Sequence, residues 1–213
     1  MIKTENVDVY GWEAAIRGAR NPMNSWNQSD TSYGTGEIVT EVGPRDLKLL
    51  QSLANAGPDH GKFLRMITVS VDITAPLYWW KEADTYKVGT VANSCSTMHK
   101  IHAKTFTVDD FSHEHLSNGS MHLLHLTVGI LNEARDAYLS CTTSEQDLKK
   151  FYWWQMIQLL PSSYNQRRTV LLNYQVLKSM YHARKNHKLD CWRAFCKWVE
   201  TLPYAKELIC GVG

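Results

Sequence analysis

An alternating run, Ile67-Thr68-Val69-Ser70-Val71-Asp72-Ile73, leads into Ala75-Pro76 and an aromatic segment, Leu77-Tyr78-Trp79-Trp80. Branched residues at every second position read as a strand with one buried face. Pro76 has no amide to give a ladder and predicts the end of that strand. The aromatic segment reads as a helical turn, and the chain from there to Met98 as a polar loop rich in hydroxyls and carrying Gly89. Strand, helix, then a loop of hydroxyls and amides is one way to build a nucleotide pocket. It is also the pattern of a core helix followed by an ordinary surface loop.

A chain of 213 residues is the length of one domain with a sizeable core. A hydrophobic share of 44% and a charged share of 21% place it among globular proteins. The net charge of +2 is too small to argue for nucleic acid or an acidic membrane surface. No apolar run reaches membrane-spanning length, and the N-terminus lacks a charged-then-apolar signal pattern. Five cysteines without Cys-x-x-Cys spacing fit a reduced, cytoplasmic protein. Eight Trp and ten Tyr suit a core of large aromatics, a planar-ligand site or an oligomer interface.

Taken in order, Val7 to Tyr10 reads as a short strand and Gly11 to Arg17 as a short helix. Residues 21 to 36 read as a long loop, whose Trp26 and Tyr33 suit either a cover over a ligand or packing against a neighbouring subunit. Gly43-Pro44-Arg45-Asp46 is predicted to start a helix running to about Asn55, with Leu47, Leu50 and Leu53 or Ala54 on its apolar face. Phe106-Thr107-Val108 reads as extended. His113, His115, His122 and His125 crowd together but match no zinc spacing, so a helix over residues 121–139 is the better reading. Thr142-Thr143-Ser144-Glu145 caps the next helix, which runs to Leu159. Residues 163–188 read as a further helix with an irregular start, and a last helix follows Asp190. A few strands among long helices argue an α+β fold.

Two segments resemble the flavin-dependent thymidylate synthases. Ala75-Pro76 and the aromatic helix match the start of that family's signature. Thr85-Tyr86-Lys87 stands where the family has Arg-His-Arg, and Thr90, Asn93 and Ser96 approximate its later polar positions. The second segment is Leu160-Pro161, followed twelve residues later by Asn173, then Leu177 and Arg184, at the family's spacing. His60 lies where the family has a His ahead of its strand. Departures are specific: Ile157 replaces an Arg before Leu-Pro, and Glu82 replaces a Gln that meets the nucleotide. Lys81, Lys87, Lys100, Arg167 and Arg168 are available to compensate.

The resemblance implies a central antiparallel sheet flanked by long helices, FAD as cofactor, and reductive methylation of dUMP to dTMP. NADPH and methylenetetrahydrofolate would be co-substrates, and the assembly a homotetramer. It implies flavin contacts from His60, Thr85, Tyr86, Lys87, Asn93, Asn173, Gln175 and Ser179. Nucleotide contacts fall to Glu82, Asn93, Ser94, Cys95, Ser96 and Arg184. Arg184 is the expected catalytic residue, stabilising negative charge on the pyrimidine ring. The departures keep two further readings open: a flavoenzyme methylating or hydroxymethylating another pyrimidine nucleotide, and a non-catalytic nucleotide-binding relative.

Overall fold

A computed structural model describes residues 2–34 and 39–211. In chain order the elements are β1 (Lys3–Tyr10), α1 (Trp12–Arg20), β2 (Ser32–Tyr33), β3 (Val39–Glu41), α2 (Pro44–Asn55), β4 (Thr68–Pro76), α3 (Leu77–Ala83), β5 (Val91–Ser94), α4 (Asn118–Ser140), α5 (Gln146–Leu159), β6 (Asn165–Asn173), α6 (Tyr174–Arg184) and α7 (Asp190–Val199). The main sheet is antiparallel with strand order β1-β4-β6-β5, and β2 pairs with β3 in a two-stranded ribbon. The expected α+β architecture is therefore present.

β4 forms as its alternation predicts. Val69, Val71, Ile73 and Ala75 are buried on one face while Thr68, Ser70, Asp72 and Thr74 are half-buried on the other. Pro76 closes the strand, and α3 starts at the next residue. The segment 163–188 differs from the expectation of one irregular helix. Residues 165–173 are a strand and only Tyr174–Arg184 is helical. Residues 91–94, expected in a loop, form β5, and of the extended segment 106–108 Thr107 is extended while Val108 opens a 3-10 turn that runs to Asp110. The predicted loop 21–36 contains β2, whose Ser32 and Tyr33 pair antiparallel with Glu41 and Val39 of β3 beyond it. Its residues 35 and 36 lie outside the described ones.

The chain divides into two compact units. The first comprises residues 1–3, 74–83 and 94–168. Its core gathers Phe106, Phe111, Leu124, Val128, Leu131 and Met156 around the α4–α5 hairpin. Ser117 caps α4 by accepting the Ser120 amide. Asn132 clamps the incoming loop, accepting from Phe106 N at 2.8 Å and donating to Phe106 O at 2.9 Å. The first amides of α3 are satisfied by Tyr164 O and Ser162 O, both at 3.0 Å.

The second unit comprises residues 4–73, 84–93 and 169–213. α7 turns Trp192, Phe195 and Val199 inward, and α6 contributes Tyr174, Leu177 and Met180. Each such side chain removed from water contributes about 1.5–3 kcal/mol. The Tyr174 hydroxyl, pushed above its usual range by burial, donates to Pro203 O at 2.6 Å. Arg20 and Asp46 form a buried ion pair, Nε to Oδ1 at 2.6 Å. The other Asp46 oxygen accepts from Ser29 Oγ, Thr31 Oγ1 and the Asp30 and Thr31 amides. Burial alone would raise the Asp46 carboxyl. Hydrogen bonds from Ser29, Thr31 and Arg20 outweigh it and hold the group below its ordinary 3.8.

Candidate functional site

Four of the sequence-predicted residues of the second unit, Asn173, Gln175, Ser179 and Arg184, lie on α6 or at its cap. Asn173 is the last residue of β6 and the N-cap of α6, its side chain accepting the Val176 amide at 2.9 Å. That cap ends the strand and opens the helix at the same residue. The loop after α3 passes directly over it. Gly89 has φ +80°, and a Cβ there would stand 2.4 Å from Asn173 Nδ2. Only glycine meets both conditions. Thr85 and Lys87 on this loop are exposed, as is Asn93 on β5, whereas Tyr86 is half-buried.

Gln175 and Ser179 share one stripe of α6 with Lys178 and His182, and the four line a cavity of about 200 Å³ with Ala54 and Pro58. The i, i+3, i+4, i+7 spacing puts them on one face, so Lys178 and His182 were readable from the sequence and were missed. Asn173 stands off this stripe. Lys178 Nζ donates to Ala54 O at 2.7 Å, and burial lowers its pKa. Gly61 approaches Gln175, its notional Cβ 3.7 Å from Oε1, and the preceding His60 is exposed and not among the residues that line this cavity.

At the other end of α6, Arg184 is half-buried while its basic neighbours Lys185 and Lys188 are exposed. Its Nε donates to Tyr86 Oη at 3.0 Å. Its guanidinium carbon sits 4.9 Å from the centroid of the buried Trp192 ring and 5.8 Å from that of Tyr86. The two rings meet edge to face at 6.1 Å. Such ring–cation contacts contribute about 0.5–2 kcal/mol each according to how dry they are. Asn173 and Arg184 are thus eleven residues apart along α6, about 16 Å of helix.

In the first unit, Glu82 is half-buried on α3, and Ser94, Cys95 and Ser96 are exposed. Cys95 is laced to β6: its amide donates to Arg167 O at 2.9 Å and its carbonyl accepts from Gln166 Nε2 at 2.7 Å. The Ser96 hydroxyl accepts from the Met98 and His99 amides, so it shapes a local turn. Cys95 also borders a polar cavity of about 480 Å³ with Lys104, Tyr164, Asn165 and Arg167. Arg168, one of the compensating cations, stacks 4.2 Å from the Trp80 ring and donates to Gln166 Oε1 at 2.9 Å. Among the described residues no three His, Cys, Asp or Glu side chains group to hold a metal, and no helix is long and apolar enough to cross a membrane.

The fold is that of the flavin-dependent thymidylate synthases. The ThyX enzyme of Helicobacter pylori, solved with FAD and dUMP, superposes with a TM-score of 0.68 at 16% identity, over 96% of this chain and 98% of that one. A second structure of that enzyme with FAD and dUMP gives 0.68 at 15% identity, over 98% and 97%. The UMP/dUMP methylase PolB from Streptomyces cacaoi, bound with 5-Br dUMP, gives 0.60 at 13% identity, over 94% and 89%. No protein-family model matches the sequence, and no curated protein sequence matches it.

Proposed function

We propose that this chain is a flavoenzyme that methylates a pyrimidine nucleotide, converting dUMP to dTMP with FAD, methylenetetrahydrofolate and NADPH. The observation that carries this reading is a fold shared over nearly the whole chain with enzymes solved holding dUMP or its 5-bromo analogue. The donor set on α6 fits a flavin. An amide, an ammonium, a hydroxyl and an imidazole line one cavity, and Gly89 admits no side chain beside Asn173. Gln175, Ser179 and Asn173 would hold the cofactor, with Thr85, Lys87, Asn93 and His60 as further contacts. When bound it supplies hydride transfer and one-carbon delivery.

The chain's own part is orientation and charge. Arg184 would meet a pyrimidine carbonyl and ring nitrogen in a paired contact. Its charge stabilises the ring anion while carbon five acts as nucleophile. Tyr86 and Trp192 hold that guanidinium in place. Glu82, Ser94, Cys95 and Ser96 are the proposed nucleotide contacts of the first unit. No protein nucleophile is needed.

The likeness to PolB supports a second reading, in which a ribonucleotide or another uridine nucleotide is the substrate. Replacement of the family's Arg-His-Arg by Thr85-Tyr86-Lys87 points the same way, because Thr cannot make the bidentate phosphate contact of Arg. We further propose residues 1–213 as one functional domain of a cytoplasmic homotetramer. Leu123, Leu126 and Ile130, exposed at helical spacing on α4, support an oligomer. The test is a purified preparation supplied with FAD, methylenetetrahydrofolate and NADPH, with dUMP and UMP compared. Formation of dTMP is expected. Absence of flavin binding and of any methylated product would refute the proposal.

A further inference from the structure

We infer that the junction of the α4–α5 hairpin with the loop after β5 is a binding site for a polyphosphate anion, separate from the residues proposed for the methylation. Four basic side chains converge there within the first unit. Lys100 and His102 come from the loop, Arg135 from α4 and Lys149 from α5. Tyr138 on α4 is their common support. The His102 ring lies 4.5 Å from the Tyr138 ring, and Lys149 Nζ stands 5.0 Å from the same centroid. Arg135 Nε donates to His102 O at 3.0 Å. Burial first, and then the charges of Lys100, Lys149 and Arg135, hold the His102 imidazole below its ordinary 6.5.

The cluster is short of counter-charge. Among the described residues only Asp136 pairs with one of its cations, accepting from Arg135 Nη1 at 2.7 Å, and that carboxylate side chain is 72% exposed. Lys100 and Lys149 have no carboxylate partner among the described residues. His102 Nδ1 is buried and makes no hydrogen bond among them. Cations crowded on one imidazole repel one another, and a local field of one sign draws in an anion. A polyphosphate neutralises several of them at once through charge-assisted hydrogen bonds. The loop is already held in place for this. Ile101, between the two basic residues, is 4% exposed in the core of the hairpin. Trp153 Nε1 donates to Met98 O at 2.8 Å. A loop anchored in this way presents its cations at little further ordering cost.

Two sources carry this chemistry: inorganic polyphosphate, and the phosphate chain of a nucleoside triphosphate. Calorimetric titration of the full-length protein at low salt takes inorganic tripolyphosphate in one arm and thymidine triphosphate in the other. Each arm is run on the free protein and on protein saturated with FAD and dUMP. Micromolar binding of tripolyphosphate is expected, with the same affinity when FAD and dUMP are present. Comparable affinity in both arms assigns the site to the phosphate chain itself, and tighter binding of thymidine triphosphate assigns it to a nucleotide. Neither lysine is buried, so Lys100→Gln and Lys149→Gln should fold. Each should weaken binding about tenfold, the scale of a lost charge-assisted hydrogen bond. Bound tripolyphosphate should also raise the titration midpoint of His102 in NMR spectra, because an adjacent anion favours the imidazolium. The inference is overturned if tripolyphosphate does not bind at millimolar concentration, or if both lysine variants bind it as wild type. It is also overturned if FAD or dUMP displaces tripolyphosphate, since the cluster then belongs to the site of the proposed reaction. Titration of the free protein needs no turnover, so failure of the proposed methylation leaves this test intact.

Discussion

Arg20 and Arg184 both belong to the second unit, and both have been drawn in from solvent by different means. Arg20 is 4% exposed, and a carboxylate and two loop carbonyls take its donors. Arg184 is half-buried against a phenol oxygen and an indole face. A carboxylate partner makes an arginine part of the framework, because removing either ion strands the other in a dry place. Aromatic partners fix where a guanidinium stands through its face, which suits an arginine that has to meet a ligand. The comparison predicts opposite consequences for variants at the two positions.

The largest effect should come from breaking the framework pair. Asp46→Ala should cost about 3–5 kcal/mol of stability, the scale of a buried ion pair losing one partner, read from the midpoint of urea unfolding. A loss below about 1 kcal/mol would put Arg20 in the same class as exposed pairs. The same carboxylate predicts a pH dependence. Its folded pKa lies below the ordinary 3.8, so its contribution is complete above that value. It fades as pH falls through the lowered folded value. Asp46→Asn should flatten the acid limb of a stability–pH curve, and an unchanged limb would remove Asp46 as its source.

Gly89→Ala should come next. A Cβ at φ +80° that also crowds Asn173 Nδ2 strains the loop and disturbs the α6 cap, each worth about 1 kcal/mol. A melting temperature equal to that of wild type would show that the loop yields freely. Tyr86→Phe keeps the ring beside Arg184 and deletes one hydrogen bond. About a tenfold loss of kcat/KM with an unchanged unfolding midpoint is expected, since a bond to a charged group is worth about 1.5–3 kcal/mol at most. If stability fell and the kinetics did not, Arg184 would resemble Arg20. The smallest effect is expected at the stripe: Gln175→Ala or Ser179→Ala should weaken FAD binding severalfold, by about 1 kcal/mol each, measured by flavin fluorescence.

The elements that the sequence made legible are those with one buried face. β4 alternates cleanly, and α2, α4, α5 and α7 carry apolar stripes or cap signals where helices were expected. β5 was illegible for a physical reason: all four of its residues are exposed at a sheet edge, so no buried face imposes a period. β6 was obscured differently. Gln166, Val170 and Leu172 point inward while Arg167, Thr169 and Leu171 point out, so a polar residue sits on the buried face and a leucine on the exposed one. The pairing of Arg184 and Trp192 with Tyr86 joins the α6–α7 corner to a loop about a hundred residues earlier, and no local pattern announces it. The family spacing from Leu160-Pro161 to Arg184 found the arginine but not its partners.

The measurement closest to the central claim is steady-state turnover of dUMP by Arg184→Ala beside wild type, with flavin content and unfolding midpoint recorded for both. Turnover is expected to fall by about a hundredfold, roughly 3 kcal/mol of lost transition-state stabilisation, with flavin content and midpoint nearly unchanged. Arg184→Lys should recover little, because a point charge cannot make the paired contact. Turnover within about twofold of wild type, a difference of only ~0.4 kcal/mol, would contradict the account and leave Arg184 a packing residue at the end of α6.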